Sequence, residues 1–89
     1  MEFVINCDVE PLENVLSDIL HEDITVDVVI LPSSSKSFNM RADGAYIGSL
    51  VLNNDRRIIV QASIYIQERL HRYGVEIRNA ISECWVSTV

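Results

Sequence analysis

Glu10, Glu13, Asp18, Glu22 and Asp23 lie in a stretch that holds no lysine or arginine. Carboxylates grouped in this way can ligate a divalent ion or offer a negative surface to a cationic partner. The first chemistry needs oxygen and imidazole ligands that converge from neighbouring helical turns, and Asp18, His21 and Glu22 have that spacing. Sets of two or three such residues arise readily by chance on an acidic helix, so no metal is expected. The second chemistry is better supported. Asp18 and Glu22 form a like-charge pair at i, i+4, and Glu22 and Asp23 fall where the helix dipole is negative, so local stability does not select them. They are expected to form a docking face for a basic protein partner, which gains association rate and specificity from complementary charge. The competing reading is neutralisation within the fold by Arg56, Arg69 or Arg72, or a solvated face that keeps the chain soluble.

The charge asymmetry runs further than this cluster. Eight acids (Glu2, Asp8, Glu10, Glu13, Asp18, Glu22, Asp23, Asp27) precede the first cation, Lys36, whereas the rest of the chain sets seven cations against five acids. Arg56 and Arg57 are expected at the start of a second helix, where backbone N–H groups favour anions, so the pair offers a weak anion site. Pairing with Asp55 or with the acidic helix is the plainer role for them. Nucleophilic catalysis needs a Ser or Cys beside an oriented base. Ser33, Ser34, Ser35 and Ser37 have no neighbouring His in sequence, Cys7 and Cys84 fall in expected strands, and no GxSxG or Cys–His signature is present. A non-enzymatic protein without a cofactor is therefore expected.

Composition narrows the partners. A formal charge of −6 argues against wrapping a nucleic-acid backbone, which needs lysines and arginines on the phosphates. No apolar run reaches the length of a membrane helix, and Met1-Glu2-Phe3-Val4 lacks the charge that opens a signal peptide. The two cysteines form no CxxC pair, so reduced thiols and a cytoplasmic setting are expected. With 48% apolar residues and only three glycines and two prolines, the chain should fold as a single domain spanning 1–89.

The elements that must position these residues follow from periodicity. Phe3, Ile5 and Cys7 alternate as a short strand. Asp8 then offers a cap to a helix whose apolar positions Val9, Leu12, Val15, Leu16, Ile19 and Leu20 repeat at helical spacing. Ile24 to Leu31 alternates as a strand that Pro32 ends, and Ser33 to Ser37 should be an exposed loop. Asp43-Gly44 between Phe38–Ala42 and Ala45–Leu52 predicts a two-residue type I′ hairpin. Its register sets Arg41 opposite Tyr46 as a cation–π pair, Met40 opposite Ile47, and Phe38, Met40, Ile47 and Val51 on the core face. Ile58 to Tyr73 is ambiguous between strand and helix. The stripe Ile59, Ala62, Ile66, Leu70, Tyr73 favours a helix capped by Asn54 or Asp55 and closed by a left-handed Gly74; the alternative extends a hairpin through 53–56 into Arg57–Val60. Alternation from Val75 to Ile81 predicts a last strand running into Cys84, Trp85 and Val86.

The resulting order, βαβββαβ, implies an α+β two-layer sandwich with two helices on one face of a mostly antiparallel sheet. The functional expectation is a protein-interaction module of the inhibitor, immunity or adaptor type. The alternatives are a small regulatory or ligand-binding domain for an anionic metabolite, or an oligomeric structural protein. A homodimer, with Trp85 or Tyr65 at its interface, is expected from the apolar strands. The turn gives the sharpest test: Gly44→Val should lower stability by on the order of 1 to 3 kcal/mol in urea unfolding, because a β-branched residue resists positive φ.

Overall fold

The computed structural model describes residues 4–88, and side chains from residue 8 to residue 82. The elements are β1 (Val4–Cys7), α1 (Glu10–Leu20), β2 (Ile24–Ile30), β3 (Lys36–Ala42), β4 (Ala45–Leu52), β5 (Ile58–Ala62), α2 (Ile64–His71), α3 (Gly74–Cys84) and β6 (Trp85–Thr88). Strands β2 to β5 form an antiparallel sheet in chain order, and β1 pairs antiparallel with β6 in a separate two-stranded ribbon. The fold is α+β, as the sequence pattern predicts, with one more strand and one more helix than expected. Phe3 and the side chains of Cys7, Cys84, Trp85 and Val86 lie outside the described residues.

The first half follows its local signals. Pro11 sits in the first turn of α1, where its missing N–H has no partner to lose; the N-cap is Val9 and not Asp8, which stands one residue earlier with its Oδ1 accepting from the Glu10 N–H at 3.1 Å. His21 ends the helix in a left-handed conformation at φ 56°. Asp43 and Gly44 both have positive φ, 52° and 81°, as a type I′ turn requires. Arg41 faces Tyr46 across that turn, but its guanidinium donates to Asp27 Oδ2 at 3.1 Å; a cation–π pair forms elsewhere, Arg69 over Tyr65. Ser33 to Ser35 make a tight turn rather than an open loop: the Ser34 N–H donates to Leu31 O and the Leu31 N–H to Ser35 O, and Ser35 and Ser37 are buried.

The expected register fails at one residue. Met40 pairs with Gly48 instead of Ile47, which leaves Ile47 as a bulge and moves every later residue of β4 to the other face. Leu50 is consequently fully buried opposite Phe38, and Val51 turns outward with Ile59 across from it. Gly48 permits this. Its φ is +150°, and a Cβ there would come within 2.6 Å of Ala62 Cβ and 2.8 Å of the Gln61 carbonyl oxygen.

The second half corrects two expectations. Ile58–Ala62 is a strand, because three consecutive β-branched residues lose side-chain freedom in a helix and a hairpin turn precedes them. Asn53 organises that turn, its Oδ1 accepting from the Asp55 and Arg57 N–H groups at 3.0 Å each, so neither Asn54 nor Asp55 caps a helix. The N-cap of α2 is Ser63, whose hydroxyl accepts from the Ile66 N–H. Beyond it, 74–84 is helical and not extended. Ile77, Ala80 and Ile81 are the buried residues, at i, i+3 and i+4, while Val75 is 70% exposed, so the alternation was incidental. Gly74 opens α3 and is not a left-handed cap to α2.

One core joins the three helices to the inner face of the larger sheet. Leu12, Leu16 and Ile19 of α1 meet Ile24, Val26, Phe38, Met40 and Leu50 of the strands, with Leu70, Ile77, Ala80 and Ile81 from α2 and α3. Leu12, Leu16, Phe38, Met40 and Leu50 have no solvent exposure, and truncating any of the leucines to alanine costs about 2 to 5 kcal/mol at such sites. Gly48→Ala should remove roughly 1 to 3 kcal/mol or more, since its new methyl group meets backbone and cannot be accommodated by a rotamer change. Urea unfolding compared with Ala45→Gly measures that cost.

Candidate functional site

The five carboxylates do not share a face. Glu13 and Asp18 are five residues apart on α1, which places them roughly 140° apart around the helix axis. Glu13 turns toward the sheet, where its Oε2 accepts from the Val26 N–H at 2.8 Å, and Ser17 one turn on accepts from the Ile24 N–H at 2.9 Å. The edge of β2 is thus clasped by two side chains of α1. Glu10 is exposed in the first turn of the helix, and Asp18, Glu22 and Asp23 are exposed at or beyond its last turns. Among the described residues, the carboxylates of those four accept no hydrogen bond and enter no ion pair, whereas Asp27 pairs with Arg41.

Arg69 explains how the negative end of α1 is tolerated. Its Nε and Nη2 both donate to the Ile19 carbonyl oxygen, at 3.2 and 2.8 Å, setting a cation on the last turn of a helix that has no basic residue there. The guanidinium lies 5.8 Å from the Tyr65 ring centroid. Arg69, Asp18, His21, Tyr73 and Glu76 line a hollow of about 250 Å³ between α1 and the two later helices. Asp18 and His21 therefore come together, as their spacing suggests, but around a guanidinium; among the described residues no three His, Cys, Asp or Glu side chains gather to hold a metal ion.

Arg56 and Arg57 are not at a helix N-terminus. Both belong to the β4–β5 turn, where Arg56 adopts a left-handed φ of 62° and its carbonyl oxygen accepts from Arg78 Nη1 at 2.8 Å. This bond gathers Arg56 and Arg78 at a groove that sequence reasoning missed. Three adjoining hollows of about 650, 450 and 530 Å³ run along β5 and share Ile58. Val60, Leu70 and Ile77 contribute apolar lining, and His71, Arg72, Arg78 and Arg56 stand along the rim. The signal that could have found it was the hairpin alternative at 53–57, because only a strand at 58–62 leaves Ile58 and Val60 beside the cations of α2 and α3.

The outer face of the sheet, away from the helices, holds a polar network. Ser37 and Ser49 hydroxyls donate to Asn39 Oδ1 at 2.8 and 2.7 Å, and Tyr46 Oη lies 2.6 Å from Ser49 Oγ. The Ser37 hydroxyl is thereby engaged within β3, that of Ser49 across from β4 to β3, and that of Ser17 in holding β2.

Comparison with family models, with curated proteins and with solved structures finds no match to this chain.

The unequal use of the carboxylates has a measurable consequence. Glu13→Ala should destabilise by about 1 to 3 kcal/mol through loss of the acceptor for the Val26 N–H. Glu10→Ala and Glu22→Ala should each stay within roughly 0.5 kcal/mol of the parent, as surface changes do. Chemical unfolding of the three variants separates the structural acid from the others.

Proposed function

We propose that this chain is a non-enzymatic protein-interaction module of the inhibitor, immunity or adaptor kind, which sets the free carboxylates of α1 and the following turn against a basic surface of another protein. The observation that carries this reading is that Glu10, Asp18, Glu22 and Asp23 stay exposed and outside any ion pair among the described residues, although Arg69 lines the same hollow as Asp18. Internal neutralisation, the main competitor, is left to Arg69, which keeps its charge while donating to the Ile19 carbonyl and shares a hollow with one of the four carboxylates, Asp18. Carboxylates at the end of a helix oppose its dipole, so a role outside the fold accounts for their presence better than stability does.

The mechanism is occlusion assisted by charge. A partner with a cationic surface is drawn toward the acidic end, its lysines and arginines meet Asp18, Glu22 and Asp23, and its own binding surface is covered. Glu10 contributes from the other end of the helix, and Glu13 contributes indirectly by holding β2 in place. A cytoplasmic setting accords with this reading. In support, no helix among the described residues is long and apolar enough to cross a membrane.

The test is capture from a lysate of the source cells followed by kinetics on the captured basic protein. Glu10→Lys/Asp18→Lys/Glu22→Lys should retain its circular dichroism spectrum, lose capture of that protein, and show its deficit mainly as a slower association rate that converges with the parent at high salt. An unchanged association rate would refute the acidic docking face.

A further inference from the structure

The two edges of the larger sheet are treated differently. The edge of β2 is covered by Glu13 and Ser17 and carries a charge, Asp27, at its centre. The other edge, β5, has the sequence Ile-Ile-Val-Gln-Ala, without charge, proline or bulge, which are the usual devices that keep an edge from pairing. Its hydrogen-bonding direction follows from the hairpin. The Asn53 N–H donates to Arg57 O, so alternation places Ile59 and Gln61 in the ladder with β4 and turns the N–H and C=O groups of Ile58, Val60 and Ala62 outward. The Ala62 carbonyl already accepts from outside the sheet, from Gln67 Nε2 at 2.8 Å. Beside this edge runs the groove with its apolar floor and cationic rim.

We propose that β5 receives an extended segment of another protein as a fifth strand, and that this segment is acidic. An added strand completes the outward N–H and C=O groups of Ile58 and Val60 and the N–H of Ala62, and its helix-facing side chains enter the hollow beside Ile58, Val60 and Ile77. The sign of the rim selects the partner: among the described residues, Arg56, Arg72, Arg78 and His71 oppose a single lining carboxylate, Glu68, so aspartates and glutamates on the segment are favoured and a basic segment is repelled. The left-handed Arg56 fits this assignment, because glycine would be the easier residue there and arginine adds charge to the rim. This surface shares no residue with the acidic end of α1, so the two can act independently.

The probe is a fluorescein-labelled pool of octapeptides randomised among Asp, Glu, Val, Ile and Leu, with a matched pool carrying Lys and Arg in place of the acids. Fluorescence anisotropy should show the acidic pool binding and the basic pool not. Arg72→Glu/Arg78→Glu should weaken the acidic pool by roughly tenfold or more. Val60→Pro, which removes one outward N–H and no ladder bond, should abolish binding while circular dichroism stays native. In the parent protein, amide exchange at Ile58, Val60 and Ala62 should slow on binding while the exchange of β2 stays the same, a readout that needs no variant. Glu10→Lys/Asp18→Lys/Glu22→Lys should bind the acidic pool as the parent does, which separates failure here from failure of the acidic docking face. Equal binding of both pools, no binding of the acidic pool at roughly millimolar concentration, or a dimer that Val60→Pro dissolves without any peptide binding would overturn the proposal, as would stabilisation by inorganic phosphate alone.

Discussion

Three short helices cannot cover both faces and both edges of a four-stranded antiparallel sheet, and the rest of the structure depends on which of these the helices reach. α1 lies against β2 and fixes the arrangement by two hydrogen bonds and one apolar stripe. Glu13 and Ser17 satisfy the outward N–H groups of Val26 and Ile24, while Leu12, Leu16 and Ile19 enter the core. Each bond contributes about 1 kcal/mol net, and leaving either N–H buried without an acceptor would cost more than the bond itself gains. The same contacts orient α1, so they decide which carboxylates look inward and which look out.

With α1 committed to one edge, α2 follows β5 and touches the far edge through Gln67 Nε2 on the Ala62 carbonyl, but leaves Ile58 and Val60 only partly covered. The bulge at Ile47 has a part in this. By shifting β4 one residue it turns Leu50 inward and lets Gly48 bring the end of β5 close. The inner side chains of β5 are then only partly covered, and the cations of α2 and α3 line the gap. Charge segregation in the folded molecule therefore has two poles. One is the exposed acidic end of α1; the other is the arginine-rimmed groove along β5, at the edge of the sheet opposite β2. Arg69 is a cation within the acidic pole, where it shares a hollow with Asp18 and His21 and serves as the C-terminal cation that α1 lacks.

How much of this was legible in the chain depends on the range of the interaction concerned. α1, β2 and the Asp43-Gly44 turn are stated by residues within a few positions of one another, and each formed as its pattern predicts. The stretch from Ile58 to Ile81 offered two periods at once. Ile59, Ala62, Ile66 and Leu70 imitate a helical stripe, and Val75, Ile77 and Ile81 imitate a strand. Packing resolved both in the other direction, because Ile58–Ala62 pairs with β4 and Ile77, Ala80 and Ile81 fit one face against α1 and the sheet.

The sequence by itself determined the α+β class, the acidic and basic halves, the first helix and the type I′ turn, since propensity, spacing and local hydrogen bonding suffice for these. Only the tertiary structure decided that Glu13 is a structural acid, that Arg56 and Arg57 leave the helix start for a turn, and that β5 is an unprotected edge. The turn at Arg56 and Arg57 is closed locally by Asn53 once β5 pairs with β4, and the other outcomes rest on contacts between residues far apart in the chain. Glu13 meets Val26, Arg69 meets Ile19, and Gly48 meets Ala62, and no local pattern specifies which distant groups will share a surface.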